Sequence, residues 1–166
     1  MQPAIETGLS FRIEPHAADV ADVQRLVAAT GVFRDAEVRV AGELVAERLA
    51  HGLESGYAFL FAEADHRLAG YTCYGRIPLT RASYDLYWIA VAPQYQGRGL
   101  GRRLMAETEF LIRDAGGEQV YIETSSRARY RRTRAFYEHC GYQEVAFLAD
   151  FYAPGDGKKI YCRRLA

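Results

Sequence analysis

The sequence predicts an α/β (α+β) fold, a mixed sheet with helices on both of its faces. Three observations predict it. Strand-like and helix-like stretches succeed one another as β, α, α, β, β, β, α, β, α, β, β, with strands consecutive in the middle and alternating with helices afterwards. One apolar strand runs straight into a glycine-rich loop and a long amphipathic helix. The chain has 166 residues, 49% of them apolar and 13% aromatic, which suffices for a sizeable core. Residues 1–166 are therefore read as a single domain, with its ordered core beginning at Leu9.

Each element has its own warrant. Leu9 to Ile13 alternates as a first strand. Asp19 to Ala29 sets Val20, Val23, Leu26 and Val27 on one helical face, and Gly31 stops it. Asp35 opens a second helix with Val40, Ala41, Leu44, Val45 and Leu49 as its apolar face, ended by Gly52. Tyr57 to Ala62 is a short apolar run, Asp65-His66 a turn, and Leu68 to Tyr74 the returning strand of a hairpin. Tyr84 to Val91 is apolar enough for a central strand. A long helix starts near Gly99, with Leu100, Leu104, Thr108, Leu111 and Ile112 at helical spacing, and Gly116-Gly117 ends it. Gln119 to Thr124 is a strand and Arg131 to Cys140 a shorter helix closed by Gly141. Strands Tyr142 to Tyr152 and Lys159 to Leu165 follow, joined by the turn Pro154-Gly155-Asp156-Gly157.

Composition narrows the function. Basic and acidic side chains balance at 21 each, so a general nucleic-acid binder is not expected. No apolar run approaches the ~20 residues of a membrane span. The stretch from Met1 to Glu6 carries no basic and apolar export signal. Cys73, Cys140 and Cys162 are odd in number and far apart, which fits a reduced, cytoplasmic protein. The balance hides a split. Residues 1–66 hold 11 acids and five arginines, and the remainder holds the basic excess. That asymmetry suits one local anion better than a polyanion.

The loop Pro93-Gln94-Tyr95-Gln96-Gly97-Arg98-Gly99-Leu100-Gly101 joins strand to helix. Glycines let the backbone bend and let a ligand approach the main chain. Amides converging at a helix start, with the positive end of its dipole behind them, form an anion site. Arg98, Arg102 and Arg103 add charge, and a diphosphate fits by size. A Walker loop would need Gly-Lys-Ser/Thr, whereas Arg102-Arg103 follow Gly101. The dinucleotide fingerprint wants its third glycine one residue later and the first strand of its fold.

The spacing Gln96-x-x-Gly99-x-Gly101 resembles the acyl-CoA-binding motif of the GNAT superfamily of N-acetyltransferases. Ile89-Ala90-Val91-x-Pro93 resembles the strand leading into it, and Phe136-Tyr137-Glu138-His139-Cys140-Gly141-Tyr142 the family's aromatic-Tyr-x-x-x-Gly-aromatic signature. The element order agrees from Leu9 to Leu165. One departure is Tyr130, where many members carry asparagine. The resemblance implies a mixed, mostly antiparallel sheet of about six or seven strands.

It also implies acetyl-CoA as acetyl donor, with no metal. The cofactor set it implies is Ile89, Ala90, Val91, Gln96, Gly97, Arg98, Gly99, Leu100, Gly101, Arg102 and Thr133. Pantetheine amides would pair with the strand at Ile89 to Val91. An amide there, at Val91 or Ile89, would polarise the thioester carbonyl. Tyr137 is implied as the acid that protonates the departing thiolate. Glu123 is the first choice of base, flanked by Tyr121 and Ile122 so that a partly dry carboxylate is expected. Asp85 and a water relay compete with it. Arg127, Arg129, Arg131, Arg132 and Arg134 offer charge for a 3′-phosphate or a stacking partner for adenine.

The expected reaction is direct transfer of acetyl to a primary amine. The acceptor should be a small cationic molecule, meeting a rim of Phe33, Tyr74, Tyr84, Tyr152, Glu37, Asp150 and Asp156. The alternatives are acetylation of a protein N-terminus or lysine, and a non-catalytic CoA-binding module. A homodimer is kept open; nucleic-acid and membrane partners are not expected. His16, His51, His66 and His139 show no metal spacing, and the cysteines read as packing.

Overall fold

Side chains on successive strand residues point to opposite faces, and here each face finds its own helices. The computed structural model describes residues 8–165. The N-terminal stretch in which no export signal is read lies outside them, as does Ala166. The elements are β1 (Leu9–Arg12), α1 (Asp19–Ala29), α2 (Asp35–His51), β2 (Ala58–Ala64), β3 (Arg67–Arg76), β4 (Ser83–Val91), α3 (Leu100–Asp114), β5 (Gln119–Ser125), α4 (Arg131–His139), β6 (Gln143–Ala153) and β7 (Asp156–Arg164). The strands are ordered β1-β2-β3-β4-β5-β7-β6. β4 and β5 are parallel, while β1–β2, β2–β3, β5–β7 and β6–β7 are antiparallel. The expected mixed, mostly antiparallel sheet is thus present. Two compact units divide the chain, one with residues up to Gly75 plus Trp88–Thr108, the other with Arg76–Tyr87 plus the residues from Glu109.

In the first unit, Phe59, Phe61, Tyr71 and Cys73 of β2 and β3 meet Val23, Leu26 and Val27 of α1 and Ala41 and Val45 of α2 in one core. The opposite face carries α3. Thr72 and Thr108 hydroxyls bond at 2.7 Å, and a Cβ on Gly70 would come within 2.9 Å of Leu104. Gly70 is therefore what lets α3 sit so close to β3. Asp65 and His66 both adopt positive φ, +51° and +60°, as a two-residue hairpin between right-twisted strands requires. Arg12 ties β1 to α1 and β2 through Asp19 at 2.7 Å and Glu63 at 2.9 Å.

Two expectations change. The buried stripe of α2 is Ala41, Val45 and Arg48, while Val40 and Leu49 are exposed. Arg48 takes a core-side place because its guanidinium reaches Glu14 at 3.2 Å. β7 begins at Asp156 rather than Lys159, because the turn is only Pro154-Gly155, with Ala153 already paired to Asp156. Gly155 supplies the left-handed φ of +76° that follows proline in such a turn.

In the second unit, Val120, Ile122 and Thr124 of β5 are buried on one face, with Tyr161 of β7 paired to Ile122. The α4 ring of Tyr137 packs 6.0 Å from Tyr161 on that face.

The Tyr71 hydroxyl is fully buried in the first core without a hydrogen-bond partner among the described residues. Tyr71→Phe removes that uncompensated group and should raise stability by about 1 kcal/mol, read as a higher urea midpoint at unchanged m-value.

Candidate active site

Local bonding shapes the glycine loop before any ligand does. Ala92 N–H donates to Ala69 C=O at 2.8 Å, ending β4 against β3. A single 3₁₀ turn, Pro93–Tyr95, follows. The Gln96 amide then donates back to Val91 C=O at 3.0 Å and braces the loop. Gly97 and Gly99 take φ of +71° and +84°, and no atom lies within 4 Å of where a Cβ would stand on either. Glycine is needed there for conformation, and the space beside it is open. Gly101 already lies inside α3, so two glycines rather than three make the bend. Leu100 is buried and anchors the helix start, whereas Arg98 and Arg102 are exposed. Arg103 lies over the Phe11 ring at 5.0 Å instead. The first amides of a helix have no intrahelical acceptor, so this end fits an anionic diphosphate. Behind it, Ala90 is buried in the core while Ile89 and Val91 are half-buried.

β5 sorts the second unit's chemistry by face. β4 pairs with it at Ser83–Asp85, opposite Gln119–Tyr121. Asp85, Tyr121 and Glu123 consequently share one face, and β7 adds Lys158 to it through the pair Ser125–Lys158. Lys158 donates to Glu123 at 2.6 Å and stands 3.9 Å from the Phe151 ring centroid and 5.9 Å from that of Tyr152. Glu123 is about half exposed, 48% for its side chain, and held by this ion pair. The burial expected at Glu123 is found at Asp85. Burial first, then the charge of Glu123, pushes the Asp85 carboxyl above its ordinary range, and Lys158 pulls it back.

Tyr137 belongs to the other face. It is 6% exposed and packs with Phe136, Tyr142 and Tyr161 at centroid distances of 5.8, 6.4 and 6.0 Å. Burial first, then Cys140, Tyr130 and Tyr161, push its phenol well above the usual tyrosine value. It stays a donor at any physiological pH. Burial first, then the charge of Glu138, raises Tyr161 to about 12.

A network not anticipated in the sequence holds the end of α4. Tyr142 donates to Glu109 at 2.9 Å, and Arg163 reaches both Glu109 oxygens, at 3.1 and 2.9 Å, and the Cys140 carbonyl at 2.6 Å. Gly141, at φ +89°, makes the turn that lets Tyr142 N–H donate to Tyr137 C=O at 3.0 Å. Only a register spanning α3 to β7 reveals Glu109 and Arg163 as partners. Lys158 had a faint signal: with Lys159 it makes up all the lysine of a chain with 19 arginines.

The arginine stretch divides by role. Arg127 pairs with buried Asp156 at 3.1 Å, and Arg134 donates to the carbonyls of Ser125 and Arg127 at 2.7 and 2.9 Å. Arg129 covers the Tyr130 ring at 5.4 Å, and Tyr130 is buried at the head of α4. Arg131 and Arg132 are exposed, and Thr133 is half-buried in the first turn of α4. Three expected rim acids are engaged in local structure. Asp156 bonds Ser125 and Arg127, Asp150 accepts from Gly155 N–H at 2.7 Å, and Glu37 caps α2 by accepting from Arg34 N–H at 2.8 Å. Phe33 packs on Trp88 at 4.9 Å, Tyr74 is buried, and Tyr84 is half-buried. Among the described residues, no group of three or more His, Cys, Asp or Glu could hold a metal, and no helix is long and apolar enough to cross a membrane.

Residues 55–144 match the model of an acetyltransferase (GNAT) domain. The chain belongs to the GNAT acetyltransferase family. It is 46% identical to a GNAT-family protein from Desulfovibrio desulfuricans, covering 96% of this chain and 100% of that one, with a TM-score of 0.93. It is 35% identical to the N-alpha-acetyltransferase RimI of Mycobacterium tuberculosis over 64% of this chain and 65% of the relative. The paia N-acetyltransferase of Thermoplasma acidophilum, solved in complex with coenzyme A, shares the fold at a TM-score of 0.74 and 16% identity, over 96% of this chain and 100% of that one. The matches span 24% and 65% of the lengths of the first two curated relatives.

The raised Asp85 sets a pH dependence for this GNAT chain. Its proton is held more tightly folded than unfolded. What Asp85 contributes to stability is therefore full below the unfolded carboxyl value of 3.8 and is lost as pH rises through the folded value. Asp85→Asn should flatten the stability–pH curve above about pH 4, measured by urea unfolding at a series of pH values.

Proposed function

We propose that the protein is an acetyl-CoA-dependent N-acetyltransferase that acts on a primary amine by direct transfer in a ternary complex. The observation that carries the reading is the braced loop Gln96–Gly101, bent by Gly97 and Gly99 into the amide-rich start of α3. Acetyl-CoA supplies the activated acyl group. Its diphosphate would be held by the amides of Gly97, Arg98, Gly99, Leu100 and Gly101 with Arg102 beside them. Its pantetheine amides would pair with Ile89, Ala90 and Val91. Arg131, Arg132 and Thr133 remain for the 3′-phosphate end, since Arg127 and Arg134 serve local structure.

Proton movements fall to the second unit. The attacking ammonium must lose a proton, and Glu123 or Asp85 accepts it, directly or through water. Tyr137 donates to the thiolate as it leaves, and an N–H of Val91 or Ile89 stabilises the oxyanion between those events. The same reading takes residues 1–166 as one catalytic domain, working in the cytoplasm where its free cysteines stay reduced.

The acceptor class offered first is a small cationic amine, drawn to Asp85 and Glu123. A second reading, the α-amine of a protein N-terminus, has a specific observation behind it: the 35% identity with an N-alpha-acetyltransferase. A thiol-release screen with acetyl-CoA over polyamines, aminoglycosides and N-terminal peptides separates the two. Release with none of them, alongside tight acetyl-CoA binding, would instead identify a silent binding module.

Tyr137→Phe should lower kcat about 100-fold with acetyl-CoA affinity retained, measured by steady-state kinetics and calorimetry. Gly99→Glu, which places a side chain at φ +84° and an anion beside the diphosphate, should weaken acetyl-CoA binding at least about 100-fold by calorimetry.

A further inference from the structure

The chain uses arginine for nearly every cation, yet the cation paired with Glu123 is a lysine. Three features make Lys158 a fixed charge rather than a solvated one. Its side chain is 13% exposed. The Phe151 ring, at 3.9 Å, shields it from water and favours a cation. Its bond to Glu123 at 2.6 Å is short and charge-assisted.

The register explains why it sits there. Ser125 pairs with Lys158 and Glu123 with Ile160, so Lys158 reaches diagonally to Glu123 on the same face. Asp85 enters that face from β4 opposite Tyr121. On this face of β5 and β7, Tyr121 pairs with Cys162, Gln119 with Arg164 and Ser125 with Lys158, and Lys158 in turn stands by the Tyr152 ring. Of the two cations, Lys158 bonds Glu123 and acts on Asp85, whereas Arg164 acts on Tyr121.

We propose that Lys158 is a positioning residue for the acceptor side, pinning Glu123 and opposing proton uptake by its neighbour Asp85. The proposal rests on the reading of that pair as the proton acceptor. Two neighbouring carboxylates compete for ionisation, and one of them takes up a proton when no cation stands by. A protonated carboxyl cannot accept the proton of an incoming ammonium. Lys158 removes that obstacle. It also fills the aromatic cage that Phe151 and Tyr152 would otherwise offer to a cationic acceptor.

The test compares the full-length protein with Lys158→Met and Lys158→Arg. Carboxyl ¹³C NMR of Asp85 and Glu123, followed against pH without substrate, reads the pair directly. Lys158→Met should raise the titration of Asp85 by about one pH unit or more. Lys158→Arg should restore most of the shift. With acetyl-CoA and the acceptor ranked first in the thiol-release screen, the acid limb of kcat should move up equally in Lys158→Met, about tenfold in rate per unit below it, with KM for acetyl-CoA unchanged. An unmoved NMR titration in Lys158→Met, with only a lowered melting temperature, overturns the proposal and leaves Lys158 a structural residue. If Asp85→Asn and Glu123→Gln both retain full turnover, the proton-acceptor reading fails instead. The NMR titration then still decides whether Lys158 governs the pair.

Discussion

The parallel pairing of β4 with β5 is short, and much of the site's chemistry follows from where it stops. It covers Ser83–Asp85 against Gln119–Tyr121, whereas β5 pairs with β7 along its whole length. Asp85 is thereby brought onto the face of Glu123 and Lys158, and β4 runs on to Val91 and the glycine loop. The first three residues of β4 are thus the ones that its ladder with β5 uses. Backbone groups left out of a ladder need partners, and an extended ligand with amides can supply them.

The period of two along β5 then divides labour. Even-numbered residues Val120, Ile122 and Thr124 are buried toward Tyr161 and Tyr137. Odd-numbered Tyr121 and Glu123 point the other way, toward Asp85 and Lys158. A one-residue slip would exchange the two sets, so the register of β5 against β7 fixes which side chains share a face. The Glu109–Arg163–Tyr142 network makes a similar contribution on the α4 side, fixing the turn after Cys140 and with it the end of the helix that carries Tyr137.

Element order and most boundaries were legible in the sequence, because hydrophobic period and glycine punctuation are local signals. The glycine loop was legible for the same reason: its neighbours in space are its neighbours in sequence. Misreadings came where a polar residue had a distant partner. Arg48 displaced Val40 and Leu49 from the buried stripe of α2 because Glu14 was available to it. Asp156, read as a rim acid, is buried against Ser125 and Arg127 at the first residue of β7. The more buried carboxyl proved to be Asp85, half-buried, rather than the exposed Glu123, since burial depends on neighbouring strands and not on local sequence. Lys158 and Glu109 gain their roles from pairings that span tens of residues, which no local pattern encodes.

The central claim is that the backbone of β4 and the glycine loop together receive the cofactor. Amide hydrogen exchange of the protein with and without acetyl-CoA tests it most directly. The account predicts new protection at Ile89 or Val91 together with Gly97 to Gly101 when acetyl-CoA is added. Protection confined to other segments, with these amides exchanging as fast as in the free protein, would contradict it.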